Sequence, residues 1–115
     1  MGARGLIVGA PRSGAGKTTV TLALTAALRR AGVAVRLAKS GPDYIDPAFH
    51  EAASGAPCAN LDAWAMAPAQ LDRILADTGF GADLVLIESA MGLFDGVDGP
   101  PGRTGAAADL AARWR

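Results

Sequence analysis

The chain has 115 residues, half of them hydrophobic, and its 11 Lys and Arg residues balance its 11 Asp and Glu residues. This length suits one small domain or part of a larger one, and a net charge of zero does not favour nucleic acid or an anionic membrane as a partner. There is neither a signal peptide pattern nor an apolar run near the roughly 18 residues of a membrane span, and the single cysteine, Cys58, excludes an internal disulfide and fits a reducing cytoplasm.

The predicted elements alternate between strands and helices. Residues 5–9 form a short buried strand, and a helix follows from Lys17 to about Ala31. Two more strands are predicted at residues 33–39 and 83–88, the last apolar at four successive positions, as in a buried parallel strand. Further helices are predicted over residues 47–53, with Asp46 as N-cap, and over residues 67–78 and 106–115. Because ligands of such α/β sheets bind beyond the carboxyl ends of the strands, we expect the site on the loops that follow the three strands.

The first of these loops is glycine-rich and leads into Lys17 and Thr18. Gly14 and Gly16 permit positive φ, so that backbone N–H groups turn inward and form a concave anion site. The helix that begins near Lys17 adds its own N–H groups and the positive end of its dipole. The Lys17 amine is then placed to reach the β- and γ-phosphates of a nucleotide, and the Thr18 hydroxyl to ligate Mg²⁺. The order of parts predicts a phosphate-binding loop for a nucleoside triphosphate and a divalent cation, within a P-loop NTPase-like, doubly wound, mostly parallel sheet with flanking helices.

The loop departs from the usual pattern at Pro11, where a glycine is expected six residues before the lysine. Proline removes an N–H group, so one donor is missing from the phosphate cradle. We expect the nucleotide to be bound by a set of loop and strand-end residues, namely Arg12, Ser13, Gly14, Ala15, Gly16, Lys17, Thr18, Thr19 and Lys39. For Lys39, which ends the second strand, a solvent-facing position is an equally open alternative.

Acidic residues occupy the other two strand ends. Glu88 directly follows a buried strand, where a carboxylate contact to Mg²⁺ is expected beside a phosphate loop. Asp43 and Asp46 lie in a loop stiffened by two prolines, although Asp46 has helix capping as an alternative role. Asp95 lies between glycines, and stabilising its own turn is the alternative there. The residue types therefore indicate Thr18 and Glu88 as Mg²⁺ ligands and Lys17 as a phosphate-binding group, with Asp43, Asp46 and Asp95 as further candidate acids of the site.

Two other reactive residue types are interpreted as structural. His50 has no second histidine with which to build a site, so packing or a surface position is favoured. Cys58 is interpreted as a buried structural thiol.

Three motifs together resemble the cobyrinic acid a,c-diamide synthase family, whose aerobic-pathway members act on hydrogenobyrinic acid. They are residues 13–19 (SGAGKTT), 39–47 (KSGPDYIDP) and 88–96 (ESAMGLFDG). Residues 60–64 (NLDAW) also resemble the family, and the resemblance covers residues 4–115.

The resemblance implies an ATP- and Mg²⁺-dependent amidoligase of cobalamin biosynthesis. In that family a synthetase domain related to dethiobiotin synthetase precedes a glutaminase domain that releases ammonia from glutamine. The synthetase phosphorylates the a and c carboxylates of a corrin ring, and ammonia then displaces phosphate to form two amides. The resemblance implies that Lys17 and Thr18 hold phosphates and Mg²⁺, and that Glu88 and Asp43 are metal-side acids. It assigns Asp46 and Asp95 to carboxylate activation or substrate placement.

We expect residues 1–115 to be the amino-terminal part of that synthetase domain, without the glutaminase domain, and therefore unable to complete the amidation alone. The expected partner is a corrinoid, cobyrinate or hydrogenobyrinate, in the cytoplasm, with no nucleic acid and no membrane; a homodimer is a candidate assembly. Two alternatives stay open. One is a related P-loop ligase, such as dethiobiotin synthetase or cobyric acid synthase, and the other is a non-catalytic nucleotide-binding module.

Overall fold

The computed structural model describes residues 2–41, 43 and 46–114, and of Asp46 it describes the backbone alone. The elements in this part are β1 (Arg4–Val8), α1 (Lys17–Arg30), β2 (Val35–Ser40), α2 (Asp46–Ser54), β3 (Ala59–Leu61), α3 (Pro68–Gly79), β4 (Leu84–Glu88) and α4 (Ala107–Arg113). Pro42, Tyr44 and Ile45 of the 39–47 motif lie outside the described residues, as does Arg115 at the end of the last predicted helix. The capping role predicted for the Asp46 side chain also falls outside them.

The strands form one sheet in the order β1-β4-β2-β3, and every pairing in the described residues is parallel. This confirms the predicted mostly parallel α/β class. The expectation of three strands was wrong, because the short strand β3 adds a fourth at one edge. Its three residues are too few to show a periodic pattern, and they follow a Gly-Ala-Pro turn that reads as loop.

The two faces of the sheet are covered by different helices. Alternate residues of β2 and β4, including Leu37 and Leu86, pack with Leu24 and Leu28 of α1 on one face. The intervening residues, including Val85 and Ile87, pack on the other face against the buried Leu71 of α3 and Leu110 of α4. The buried cluster on this face consists of Ala38, Leu61, Ala63, Leu71, Val85, Ile87 and Leu110. Since side chains alternate along a strand, Lys39 and Glu88 at the strand ends follow Leu37 and Leu86 onto the α1 face.

The strand register aligns the carboxyl ends of all four strands. Val8 pairs with Glu88, Glu88 with Lys39, and Lys39 with Asn60. Three of these four neighbours are polar, at the edge where α1 begins, and this row positions the candidate site. Within the described residues, no helix is long and apolar enough to cross a membrane.

Candidate nucleotide site

The loop between β1 and α1 has the backbone that the sequence predicts for a phosphate cradle. Gly14 and Gly16 have φ values of 73° and 92°, in the left-handed region that residues with a Cβ disfavour. Gly16 is the N-cap of α1, and no side chain of the described residues caps that helix end. The first turn of α1 therefore directs its N–H groups and the positive end of its dipole toward the loop.

Lys17 reaches back over this loop. Its Nζ donates to the carbonyl oxygen of Arg12 at 3.2 Å, which holds the ammonium group beside the loop backbone. The Arg12 guanidinium is exposed and donates through Nη1 to the Ser13 carbonyl at 3.1 Å. The positive charge of Lys17 thus lies next to the same N–H groups that would face a polyphosphate.

A cleft of about 460 Å³ opens beside the loop at the carboxyl edge of the sheet. It brings together most of the predicted binding residues, namely Ser13, Gly14, Gly16, Lys17, Thr18, Thr19, Lys39 and Asp43, with residues 89–91 completing its wall. Arg12, Ala15 and Asp95 are exposed and do not line it. Glu88 lies below the cleft rather than on its surface, because its side chain is fully buried.

Lys39 and Glu88 form a buried ion pair at the floor of this cleft. Lys39 Nζ donates to Glu88 Oε2 at 2.7 Å and lies 3.5 Å from Asp43 Oδ2. Lys39 is only 3% exposed, so the solvent-facing alternative for this residue was wrong. Its ammonium group instead joins two of the predicted acids, one from β4 and one from the loop after β2.

His50 approaches the same oxygen of Glu88 from α2. Its imidazole is fully buried, and its Nε2 lies 3.1 Å from Glu88 Oε2. Burial alone would raise the pKa of the Glu88 carboxyl, but the hydrogen bonds from His50 and Lys39 outweigh it and lower that pKa to about 2. Glu88 is therefore an anion at neutral pH despite its burial.

The other oxygen of Glu88 provides a test of whether Mg²⁺ suits this site. Oε1 is buried and has no hydrogen-bond partner among the described residues. A buried carboxylate oxygen in this state calls for a ligand that the protein itself does not supply. Carboxylate and hydroxyl oxygens suit Mg²⁺, which takes only one or two carboxylates from a protein, so Glu88, Asp43 and Thr18 fit it in kind. The described residues contain no cluster of three or more His, Cys, Asp or Glu side chains that would make an all-protein metal cage.

Asp43 is held in place by Asn60. The Asn60 side-chain amide donates to the backbone carbonyls of Gly41 and Asp43 at 2.9 and 2.8 Å. Gly41 also donates to the Leu61 carbonyl at 2.8 Å, so β3 fastens the start of the loop by backbone and side chain. The Asp46 side chain, predicted to be catalytic, lies outside the described residues.

Asp95 makes a turn within its own loop. Its Oδ2 accepts a hydrogen bond from the Gly92 N–H at 2.7 Å. The capping contact matches the turn-stabilising alternative for this residue. The catalytic or substrate role implied by the resemblance stays a prediction for an exposed carboxylate beside the cleft.

The loop after β4 also supports the phosphate loop. Leu93 N–H donates to the Ala10 carbonyl at 2.8 Å, and the Pro11 carbonyl packs so closely on Gly92 that a Cβ there would lie 2.6 Å from its oxygen. Pro11 therefore lies at the point where the two loops touch. Met91, which lines the cleft, has φ of 55°, a rare value for a residue with a side chain.

Sequence reasoning missed two residues of this site. His50 was interpreted as packing or surface, and its burial agrees with packing, but it also contacts Glu88. Asn60 lies on the strand that was not predicted, so nothing indicated that it neighbours Lys39. One signal for His50 was available, because it lies one helical turn after Asp46 and so faces the same way as a residue of the strand-end loop.

A parallel sheet, a glycine loop with positive φ and a lysine at the start of the next helix together define a nucleotide-binding α/β protein of the P-loop class. Comparison with known proteins agrees, since the family model described as "CobQ/CobB/MinD/ParA nucleotide binding domain" matches residues 6–91. The chain belongs to this family.

Curated relatives add a narrower similarity. The chain is 60% identical over 111 residues to a hydrogenobyrinate a,c-diamide synthase of Mesorhizobium japonicum, a match that covers 96% of this chain and 25% of that protein. Proteins of the same name from Agrobacterium fabrum and Rhodobacter capsulatus are 56% and 57% identical, over 100% and 90% of this chain and 26% and 23% of their own lengths. The chain thus spans about a quarter of the length of the curated relatives it matches.

Proposed function

We propose that this chain is the nucleotide-binding part of an ATP-dependent amidoligase that converts the a and c carboxylates of hydrogenobyrinic or cobyrinic acid to amides. The observation that carries the proposal is the loop of positive-φ glycines, which opens into the uncapped end of α1 with Lys17 folded over it. Such a loop suits the polyphosphate of ATP. The name shared by relatives at 51–60% identity supports the corrinoid substrate.

In this proposal the residues of the cleft act by position and charge. The loop N–H groups and Lys17 neutralise the β- and γ-phosphates as ATP phosphorylates a substrate carboxylate, releasing ADP. Thr18, Asp43 and Glu88 would hold Mg²⁺, which when bound neutralises charge on the phosphate oxygens. Arg12, Ser13 and Lys39 add positive charge or donors at the rim and floor.

Substrate activation needs a carboxylate near the γ-phosphate. Asp46 and Asp95 are proposed to place or activate the corrinoid carboxylate, because they follow the carboxyl ends of β2 and β4, at the edge of the sheet that carries the phosphate loop. Ammonia then attacks the acyl carbon, the bond to the phosphate oxygen breaks, and an amide and inorganic phosphate leave.

The ammonia would come from glutamine through a separate glutaminase domain. We propose that residues 1–115 correspond to the amino-terminal part of the synthetase domain, which fits a match to about a quarter of each relative. Complete amidation is therefore assigned to the longer protein rather than to this chain by itself.

ATP binding by the chain tests the proposal. Calorimetric titration of the chain with ATP should give saturable binding, and Lys17→Ala should weaken it about 10- to 100-fold, since hydrogen bonds to charged groups contribute roughly 1.5–3 kcal/mol each. Arg30→Ala is the matched control, because it removes an exposed positive charge at the other end of α1. Equal ATP affinity in the Lys17 variant and the unchanged chain would overturn the assignment of this loop.

A further inference from the structure

His50 reaches the floor of the cleft from an element that carries no residue of the phosphate loop. It is fully buried in α2, and its Nε2 lies 3.1 Å from Glu88 Oε2. At this distance the two atoms are in contact, and an imidazole that carries a proton on Nε2 places its positive N–H beside this oxygen.

Both neighbours of the Glu88 carboxylate meet the same oxygen. Lys39 Nζ lies 2.7 Å from Oε2, and His50 Nε2 lies 3.1 Å from the same atom. Oε1 has no hydrogen-bond partner among the described residues. Lys39 and His50 approach Oε2 from different elements, so rotation of the carboxylate would break both contacts. The same two contacts leave Oε1 as the oxygen that can bind a further group.

A purely structural arrangement would be expected to use both oxygens. A buried carboxylate oxygen without a partner has lost its hydration with no bond to replace it, and the penalty is larger when the group is charged. Natural proteins keep such atoms where a water or ion completes the site. The one-sided contacts therefore indicate that Oε1 is kept for a ligand.

We propose that His50 is a positioning residue that, together with Lys39, holds Glu88 with Oε1 directed to a divalent cation bound beside the nucleotide. The inference rests on the proposed ATP site. It adds His50 to that site, a residue that lies outside the three sequence motifs. His50 itself touches neither the nucleotide nor the cation. Its effect passes entirely through the orientation of Glu88.

The test separates binding of ATP from the contribution of the cation. ATP is titrated calorimetrically into the full 115-residue chain, once with excess EDTA and once with saturating MgCl₂. The Mg²⁺ ratio, defined as the dissociation constant in EDTA divided by that in MgCl₂, is then compared between variants. His50→Leu should leave the Mg²⁺-free affinity within about twofold and reduce the ratio about tenfold, since loss of a partner to a metal-ligating group costs 10- to 100-fold in metal affinity. His50→Gln, whose amide nitrogen can occupy the place of Nε2, should restore most of the ratio.

A control on the same helix accounts for general loosening of α2. Ser54 is buried one helical turn after His50, and its hydroxyl bonds to the Ala56 backbone, away from Glu88. Ser54→Ala should keep the full Mg²⁺ ratio. If circular dichroism shows that His50→Leu does not fold, His50→Asn takes its place, because its shorter side chain stays polar but does not reach Oε2.

The outcomes distinguish the two proposals. A chain that binds ATP with a Mg²⁺ ratio unchanged in His50→Leu or His50→Asn overturns the role of His50 and leaves the nucleotide site standing. An unmodified chain that binds no ATP overturns both. A ratio that falls equally in Ser54→Ala would also overturn the role of His50, since the effect would then belong to helix stability.

Discussion

Lys39 Nζ and Glu88 Oε2 lie 2.7 Å apart because β2 and β4 are neighbours in the sheet and these two residues share a register position at the ends of their strands. The pair contributes both to the stability of the fold and to the proposed Mg²⁺ site. Glu88 is a candidate Mg²⁺ ligand and also the counter-ion of a lysine that is 3% exposed. A substitution of Glu88 therefore removes a metal-side acid and the nearest counter-ion of a buried lysine at once, so it cannot by itself separate binding from folding.

The first prediction measures this pair directly. Lys39→Met or Glu88→Leu alone should each lower the free energy of unfolding by about 3–5 kcal/mol, because each removes the nearest partner of a buried charge. The double variant should lose much less than the sum of the two, since apolar side chains of similar volume replace both charges. Urea unfolding of the four proteins at neutral pH gives the coupling energy.

A surface pair provides the control for this cycle. Arg113 and Asp72 are as close, at 2.6 Å, but their side chains are 35% and 50% exposed. Water screens such a pair, so the cycle of Arg113→Met and Asp72→Leu should show a smaller coupling. Equal coupling at the two pairs would contradict the view that burial makes the Lys39–Glu88 contact strong.

The second prediction concerns the contact between the two loops. Gly92→Ala places a Cβ 2.6 Å from the Pro11 carbonyl oxygen and 2.8 Å from Asp95 Oδ2, so the phosphate loop must shift. We expect a loss of about 1–3 kcal/mol in unfolding free energy from this overpacking, and weaker ATP binding by about tenfold. Gly5→Ala on β1 is the control, because its Cβ would meet no atom within 4 Å. Unfolding and calorimetry on both variants give the answer, and a loss of ATP affinity in Gly5→Ala as large as in Gly92→Ala would contradict it.

The sequence predicted most elements from local pattern, but the burial expected for residues 5–9 was wrong, because β1 stands at the end of the strand order and Leu6 is 50% exposed. The apolar run of β4, the glycines of the phosphate loop and the start of α1 at Lys17 follow from residue types and spacing, and the structure has them there. Strand order does not follow in the same way. β4 lies between β1 and β2, so the residues that flank Glu88 come from the start of the chain and from residue 39.

The limits of the site prediction have the same origin. Lys39 was left open between solvent and ligand because its burial depends on a strand 49 residues away. His50 and Glu88 are likewise distant along the chain, and only the packing of α2 beside β2 brings them to 3.1 Å. Residue chemistry identified the acids at the strand ends, while the groups that hold them became visible only in three dimensions.

The third prediction concerns Cys58, the single cysteine of the chain. Burial, helped by the negative charges of Glu51 and Glu88, raises the pKa of its thiol from 9.0 to about 12. Since the thiolate is the reactive form, alkylation by iodoacetamide at pH 8 should be at least about 1000-fold slower in the folded chain than in the same chain unfolded in urea. Mass spectrometry of timed samples measures both rates, and similar rates would contradict the raised pKa.

The sign of the linked pH effect follows from the same shift. The unfolded thiol loses its proton near pH 9, whereas the folded thiol keeps it until about pH 12. The folded state therefore binds more protons in this range, and Cys58 makes stability fall as the pH rises from about 9 toward 12. Cys58→Ala should show a shallower decrease over that range in urea unfolding; an unchanged slope would assign the decrease to other groups.

The last prediction concerns Asn60, which ties β3 to the loop of Asp43. Asn60→Leu keeps the side-chain volume but removes both donors, to the Gly41 and Asp43 carbonyls at 2.9 and 2.8 Å. We expect a loss of about 1–3 kcal/mol, since each bond contributes roughly 0.5–1.5 kcal/mol. The loss should be local, because the backbone bond from Gly41 to the Leu61 carbonyl remains.

Hydrogen exchange followed by NMR distinguishes a loosened loop from a weakened fold. The Asp43 amide should exchange at least about tenfold faster in Asn60→Leu, while the amides of Ile7 and Ile87, paired in the β1–β4 ladder, should change only by the global loss of stability. The Mg²⁺-dependent part of ATP binding should weaken as well, because Asp43 lines the cleft and can meet a cation only while its loop is held. Faster exchange at Asp43 with an unchanged Mg²⁺ dependence would remove Asp43 from the cation site and leave Glu88 as its carboxylate.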